Sequence, residues 1–149
     1  MKTQVNEIKI TYQGGIRAEE WKKINGSQSA AKLIYEDWDK GTIGLFECFK
    51  VVLMNNGNRV KGIYQISQGG ITGTLVDLRI LFAVMLKSLS VALIVCHNHP
   101  SGTMRASRSD IELTERIKRA AELFDIKLLD HLIIAPDGSY YSFSDNGLL

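Results

Sequence analysis

Among its 149 residues the sequence has only two cysteines, two prolines and no sustained apolar run. Cys48 and Cys96 are too few to build a disulfide framework, which points to a reducing, cytoplasmic compartment. No stretch approaches the roughly 18 consecutive apolar residues of a membrane span. Residues 1–6 carry one lysine but no apolar core of a secretory signal, so neither secretion nor membrane insertion is expected. Without a repeat, a low-complexity tract or a proline-rich linker, nothing in the composition cuts the chain into domains. An excess of one charge is lacking as well. Eighteen basic residues face 16 acidic ones, so the net charge of +2 lends DNA no support as a partner without excluding it. The densest basic stretch (Arg105, Arg108, Arg116, Lys118, Arg119) is interrupted by Asp110, Glu112 and Glu115 and reads as a solvated helix face.

What is present, 45% hydrophobic and 23% charged residues, suits one globular domain that can bury a core without staples. Residues 4–12 alternate partly (Val5, Ile8, Ile10, Tyr12) and predict a short strand or extended arm. Residues 27–40 predict a helix with Ser27 as its cap and Ala30, Ala31, Ile34, Tyr35 and Trp38 on one side. Residues 46–54 and 59–68 predict a hairpin around Asn55-Asn56-Gly57-Asn58. A glycine-containing loop leads to a helix over 77–89 that is apolar on most faces and is expected to be deeply buried. Residues 91–96 form a continuous apolar run, as in a strand covered on both sides. A helix over 107–124, with Leu113, Ile117, Ala120, Ala121 and Phe124 as its apolar stripe, precedes strands near 127–135 and 139–143. This order predicts a central mixed sheet with helices on both faces.

Chemistry concentrates directly after the buried run, at His97-Asn98-His99-Pro100-Ser101-Gly102. Alternation along a strand lets His97 and His99 point the same way. Two imidazoles at a strand end begin a zinc site, which needs one more protein ligand and an open position. Asp110, at the start of the next helix, can be that third ligand. Capping explains Ser107-x-x-Asp110 equally well, but not the adjacent His-x-His. Glu47, inside Leu45-Phe46-Glu47-Cys48-Phe49, reads either as an outward residue on a half-exposed strand or as a carboxylate aimed into a site. Cys96 reads as a small buried residue, and His131 as a hydrogen-bonded histidine at the core edge.

The order Glu47, His97-x-His99, Ser107-x-x-Asp110 resembles the JAMM (MPN+) motif of zinc metallopeptidases. More closely, His97-Asn98-His99-Pro100-Ser101-Gly102, Ser107-x-x-Asp110-Ile111-Glu112-Leu113-Thr114, Leu129-Asp130-His131-Leu132-Ile133-Ile134 and Tyr141-Ser142-Phe143 resemble RadC-like proteins. The resemblance runs from about Ile43 to the C-terminus. It implies a RadC-like MPN/JAMM domain over 43–149, with residues 1–42 as an extension packing on its core. The implied fold is a single-domain α/β/α sandwich with a central mixed sheet, of the JAB/MPN type and similar to cytidine deaminases. The resemblance further implies one Zn2+ on His97, His99 and Asp110, Glu47 as general acid/base, and Ser107 as a hydrogen-bond donor to the water or the oxyanion.

Departures narrow the substrate. The deubiquitinating branch has Ser or Thr where this chain has Asn98, and carries ubiquitin-gripping insertions with no obvious counterpart here. Residues 1–42 do not resemble the helix-hairpin-helix-like, DNA-associated segment of RadC-like proteins. An HNH nuclease disperses its motif residues, a metallo-β-lactamase wants an acid where Ser101 stands, and a nucleoside deaminase needs a Cys-x-x-Cys. The expected function is therefore zinc-dependent hydrolysis of peptide or isopeptide bonds in a protein or peptide substrate. The alternatives are a DNA-repair-associated accessory protein with a structural or vestigial metal site, and a metal-dependent nuclease.

Overall fold

A computed structural model describes residues 4–9, 13–69 and 75–149. A 3-10 turn (Ala18–Glu20) leads to α1 (Ser27–Asp37), then the hairpin strands β1 (Cys48–Met54) and β2 (Val60–Gln68). After these come α2 (Leu78–Lys87), β3 (Ala92–Asn98), α3 (Arg108–Glu122), β4 (Lys127–Ile134) and β5 (Tyr140–Ser142). The five strands form one sheet in the order β2-β1-β3-β4-β5. Only the β3–β4 pair is parallel, with α3 as the crossover between them.

Alternation along the central strands sorts their side chains onto two faces. Cys48, Val52, Met54, Ile94, Cys96, Leu132 and Ile134 pack with Ala30, Ala31 and Ile34 of α1. Phe49, Val51, Leu53, Leu93 and Val95 pack with Leu81 and Met85 of α2 and with Ile117 and Ala121 of α3. Every residue of β3 is buried, which is why it reads as an unbroken apolar run. The α/β/α architecture with a central mixed sheet expected from the sequence is thus the fold observed.

Several local expectations are corrected. Among the described residues, 4–9 form no strand, and Val5 and Ile8 are 75% and 89% exposed. Residues 10–12 of the expected strand, and residues 70–74 of the loop before α2, lie outside the described residues. The N-cap of α1 is Gly26 rather than Ser27. The Ser29 hydroxyl accepts from the Asn25 and Gly26 N–H groups, while the Ser27 hydroxyl donates to Asp145. α1 stops at Asp37 because Trp38 turns to an extended conformation and buries its ring under the Lys50 ammonium, 4.2 Å from the ring centre. α2 is not deeply buried: Leu81, Phe82 and Met85 face the sheet, while Ile80 and Leu86 face outward. An apolar composition without a clear polar face cannot tell a two-sided environment from a one-sided one. The expected stripe of α3 holds at Ile117 and Ala121, with Leu113 and Ala120 partly buried beside them; Thr114 joins it, and Phe124 lies half exposed beyond the helix end.

One feature of the ladder positions the site. Leu93 pairs with Leu128, but Ile94 pairs with Asp130, so the register skips Leu129. A one-residue slip exchanges the faces of a strand. Here the skip turns His131, rather than Asp130, toward the α3 side where His97 lies.

Candidate metal centre

The carboxyl end of β3 meets the first turn of α3. His97 is the next-to-last residue of β3, His99 follows the strand, and Asp110 lies in the first turn of the helix. The chain returns between them through a loop with Gly102 at φ +80°, whose N–H donates to the His99 carbonyl. The left-handed backbone there is a reason for glycine.

The hydrogen bonds fix which nitrogen of each ring carries the proton. The single hydroxyl proton of Thr114 goes to the Asp110 carbonyl at 2.6 Å, an acceptor only. The same oxygen lies 2.6 Å from Nδ1 of His131 and must therefore accept, which places a proton on that Nδ1. Burial pushes His131 well below its ordinary pKa, so it is neutral and its Nε2 is a lone pair. That Nε2, 2.8 Å from Nδ1 of His97, accepts from it. His99 donates from Nδ1 to the Thr103 carbonyl at 2.7 Å. With both Nδ1 atoms engaged, the Nε2 atoms of His97 and His99 turn inward and face one another at 3.0 Å.

Asp110 closes the cluster, with its carboxylate oxygens 3.5 Å from His97 Nε2 and 3.8 Å from His99 Nε2. Burial acts to raise the Asp110 pKa. Hydrogen bonding and charge at His97, with further bonds to Ser107, outweigh it and hold the carboxyl well below the usual carboxylate range. Two imidazole nitrogens and a carboxylate thus converge on one point. Ligand atoms on a tetrahedral zinc stand roughly 3.3–3.5 Å apart, close to the three separations here. Neutral nitrogens and a carboxylate are also the donors zinc takes. His99 and Asp110 keep 14% and 17% of their side-chain surface exposed, so the cluster is reachable from solvent. These residues fit a metal ion.

Of the other residues expected at the site, Ser107 caps α3. Its hydroxyl accepts from the Asp110 N–H, and its own N–H donates to the Asp110 carboxylate. The capping reading of Ser107-x-x-Asp110 thus holds, and the capping box orients the carboxylate. Glu47 stands half-buried just before β1, with its carbonyl accepting from Gly69 N–H. Alternation puts it on the side of Phe49, whose ring stacks on His97. Its carboxylate is not part of the three-residue ligand group. Cys96 takes no part either; burial pushes its thiol up to about 12.

Three residues take places around the site that the sequence did not give them. His131 is in the core rather than at its edge, stacked on Phe143 with ring centres 4.3 Å apart. Thr114 shares its helix face with Asp110, one turn on, a spacing visible in the sequence. Asn98, fully buried, points to the opposite face of the sheet. Its amide donates to the Ile43 and Phe46 carbonyls and accepts from Cys48 N–H, pinning the loop that carries Glu47 to β3.

The family model described as "RadC-like JAB domain" matches residues 24–148. A UPF0758 protein of Flavobacterium johnsoniae is 48% identical over 102 residues, which cover 68% of this chain and 44% of that protein. One from Porphyromonas gingivalis is 44% identical over 99 residues, covering 66% and 44%. One from Clostridium kluyveri is 38% identical over 127 residues, covering 85% and 54%. The chain spans about half the length of the curated relatives it matches.

Proposed function

Because the chain belongs to the RadC-like JAB domain family, we propose that it is a zinc-dependent hydrolase of peptide or isopeptide bonds. His97, His99 and Asp110 hold one zinc ion in this reading. The observation that carries it is the pair of imidazoles whose Nδ1 atoms are both engaged, leaving both Nε2 atoms turned onto a carboxylate. Zinc bound there would supply a Lewis acid for the scissile carbonyl and lower the pKa of water toward about 7.

The chain's own residues do the rest. Glu47 takes a proton from the attacking water and returns it to the leaving amine. Ser107 meets the Ser109 hydroxyl at 3.0 Å; with Ser109 donating, the Ser107 O–H is free to bond the developing oxyanion. The capping box fixes the Asp110 carboxylate, and Asn98 fixes the loop that carries Glu47. The substrate is a protein or peptide partner with an accessible amide or isopeptide bond.

Metal content and turnover test this together. Wild type should carry near-stoichiometric zinc, and a His97→Ala/His99→Ala variant none. Glu47→Gln should keep the metal and lose about 100-fold or more of the hydrolysis of a peptide and isopeptide library. An unchanged rate in that variant removes Glu47 from its role, and a wild type that takes up no zinc removes the metal. Retention on duplex DNA that weakens steeply with salt, without hydrolysis, would favour the DNA-associated reading instead.

A further inference from the structure

Resting on the metal reading above, we propose that His131 and Thr114 are positioning residues that present His97 as a ligand. They form a hydrogen-bonded circuit from the β3 ligand to the α3 ligand. His97 Nδ1–H donates to His131 Nε2, His131 Nδ1–H donates to the Thr114 hydroxyl, and that hydroxyl donates to the backbone carbonyl of Asp110. Every proton in the circuit has one place to go, because the carbonyl at its end can only accept. In the neutral rings that metal ligation requires, the direction set at Asp110 reaches His97 and leaves its Nε2 as the ligating atom. Metal-ligating histidines usually hand their second N–H to a carboxylate, a carbonyl or water. Here the receiver is a second, buried imidazole.

Packing holds the circuit in register. Phe143 stacks on one face of His131, Phe49 meets it edge-on at 5.8 Å, and Phe49 itself lies parallel to the His97 ring. Neither imidazole can turn over without displacing an aromatic ring. His131 reaches this place only because the β3–β4 ladder skips Leu129. A core built for packing alone would put an apolar side chain at this fully buried position. An imidazole bonded at both nitrogens serves orientation.

Two measurements decide the proposal. Long-range proton–nitrogen NMR of the metal-free wild type should show His97 protonated at Nδ1; an unprotonated Nδ1 overturns the assignment. Titration with Co2+, followed by its visible ligand-field absorption, then compares wild type with two variants. Thr114→Val keeps the shape but removes the acceptor for His131, and should weaken Co2+ binding about 10–100-fold with an altered spectrum. Thr114→Ser restores the hydroxyl and should bring affinity and spectrum back to within a few-fold of wild type. A purely structural role would leave affinity and spectrum of the folded Val variant unchanged, and that result overturns the proposal while leaving the metal site standing. A wild type that takes up no Co2+ overturns both.

Discussion

At the scale of single residues, the buried amide of Asn98 does the most for the least volume. It makes three hydrogen bonds from a fully buried position and uses both ends of its side chain. A serine there has one hydroxyl proton and a shorter reach, so it cannot serve two carbonyls and an N–H together. Asn98→Ala should cost on the order of 2–4 kcal/mol in urea denaturation, because buried backbone groups are left unpaired. Gly138 is fixed by a different constraint: its φ is +88°, and an added Cβ would lie 3.2 Å from the Tyr35 ring. The turn at Pro136-Asp137-Gly138 is held at that point by the Tyr35 hydroxyl, which donates to the Pro136 carbonyl.

Among the elements, α3 has two tasks. Its inward stripe closes the core, and its first turn aims a ligand at the sheet. The Ser107 cap joins the two, since the same residue satisfies the helix's free N–H and hydrogen-bonds the Asp110 carboxylate. Ser107→Ala should therefore lower stability by about 1 kcal/mol. The Ser107 N–H that bonds the Asp110 carboxylate is backbone and remains. Zinc binding should therefore loosen only as far as the first turn frays, and not at all for a substitution at exposed Arg108 on the same turn. Comparing thermal melts and metal titrations of the two variants checks this. The exposed Arg108–Glu112 pair at 3.0 Å fits the mixed-sign, solvated face read from the sequence.

For the molecule as a whole, the buried imidazole makes folding respond to acid. His131 is held well below its ordinary value of 6.5 chiefly by burial, reinforced by its histidine neighbours and opposed by Asp110. Below about pH 6.5 the unfolded chain binds a proton at this position that the folded chain refuses. Stability from this group is therefore full above that pH and declines as the pH falls. Urea melts at pH 7.5 and pH 5 should show a loss in wild type and a smaller one in His131→Gln. A metal ion on the proposed ligands would act in the same direction, since they must be deprotonated to bind it. Among the described residues, no helix is long and apolar enough to cross a membrane.

The sequence by itself determined the fold class and the grouping of His97, His99 and Asp110 that could hold a metal. Strand and helix periods, the Asn55–Asn58 turn and the unbroken run into His97 are local signals, and local signals survive in one dimension. His97, His99 and Asp110 were legible because they lie within 14 positions of one another, on a strand end and a helix start that chain connectivity alone brings together. Tertiary structure decided what depends on register and on facing surfaces. Whether α2 was covered on one side or two, whether Ser27 or Gly26 capped α1, and where His131 pointed could not be read from residue types. The last of these turned on a single skipped residue in a parallel ladder. Periodicity places a side chain on one of two faces, but only pairing with the neighbouring strand decides which face it shares with His97.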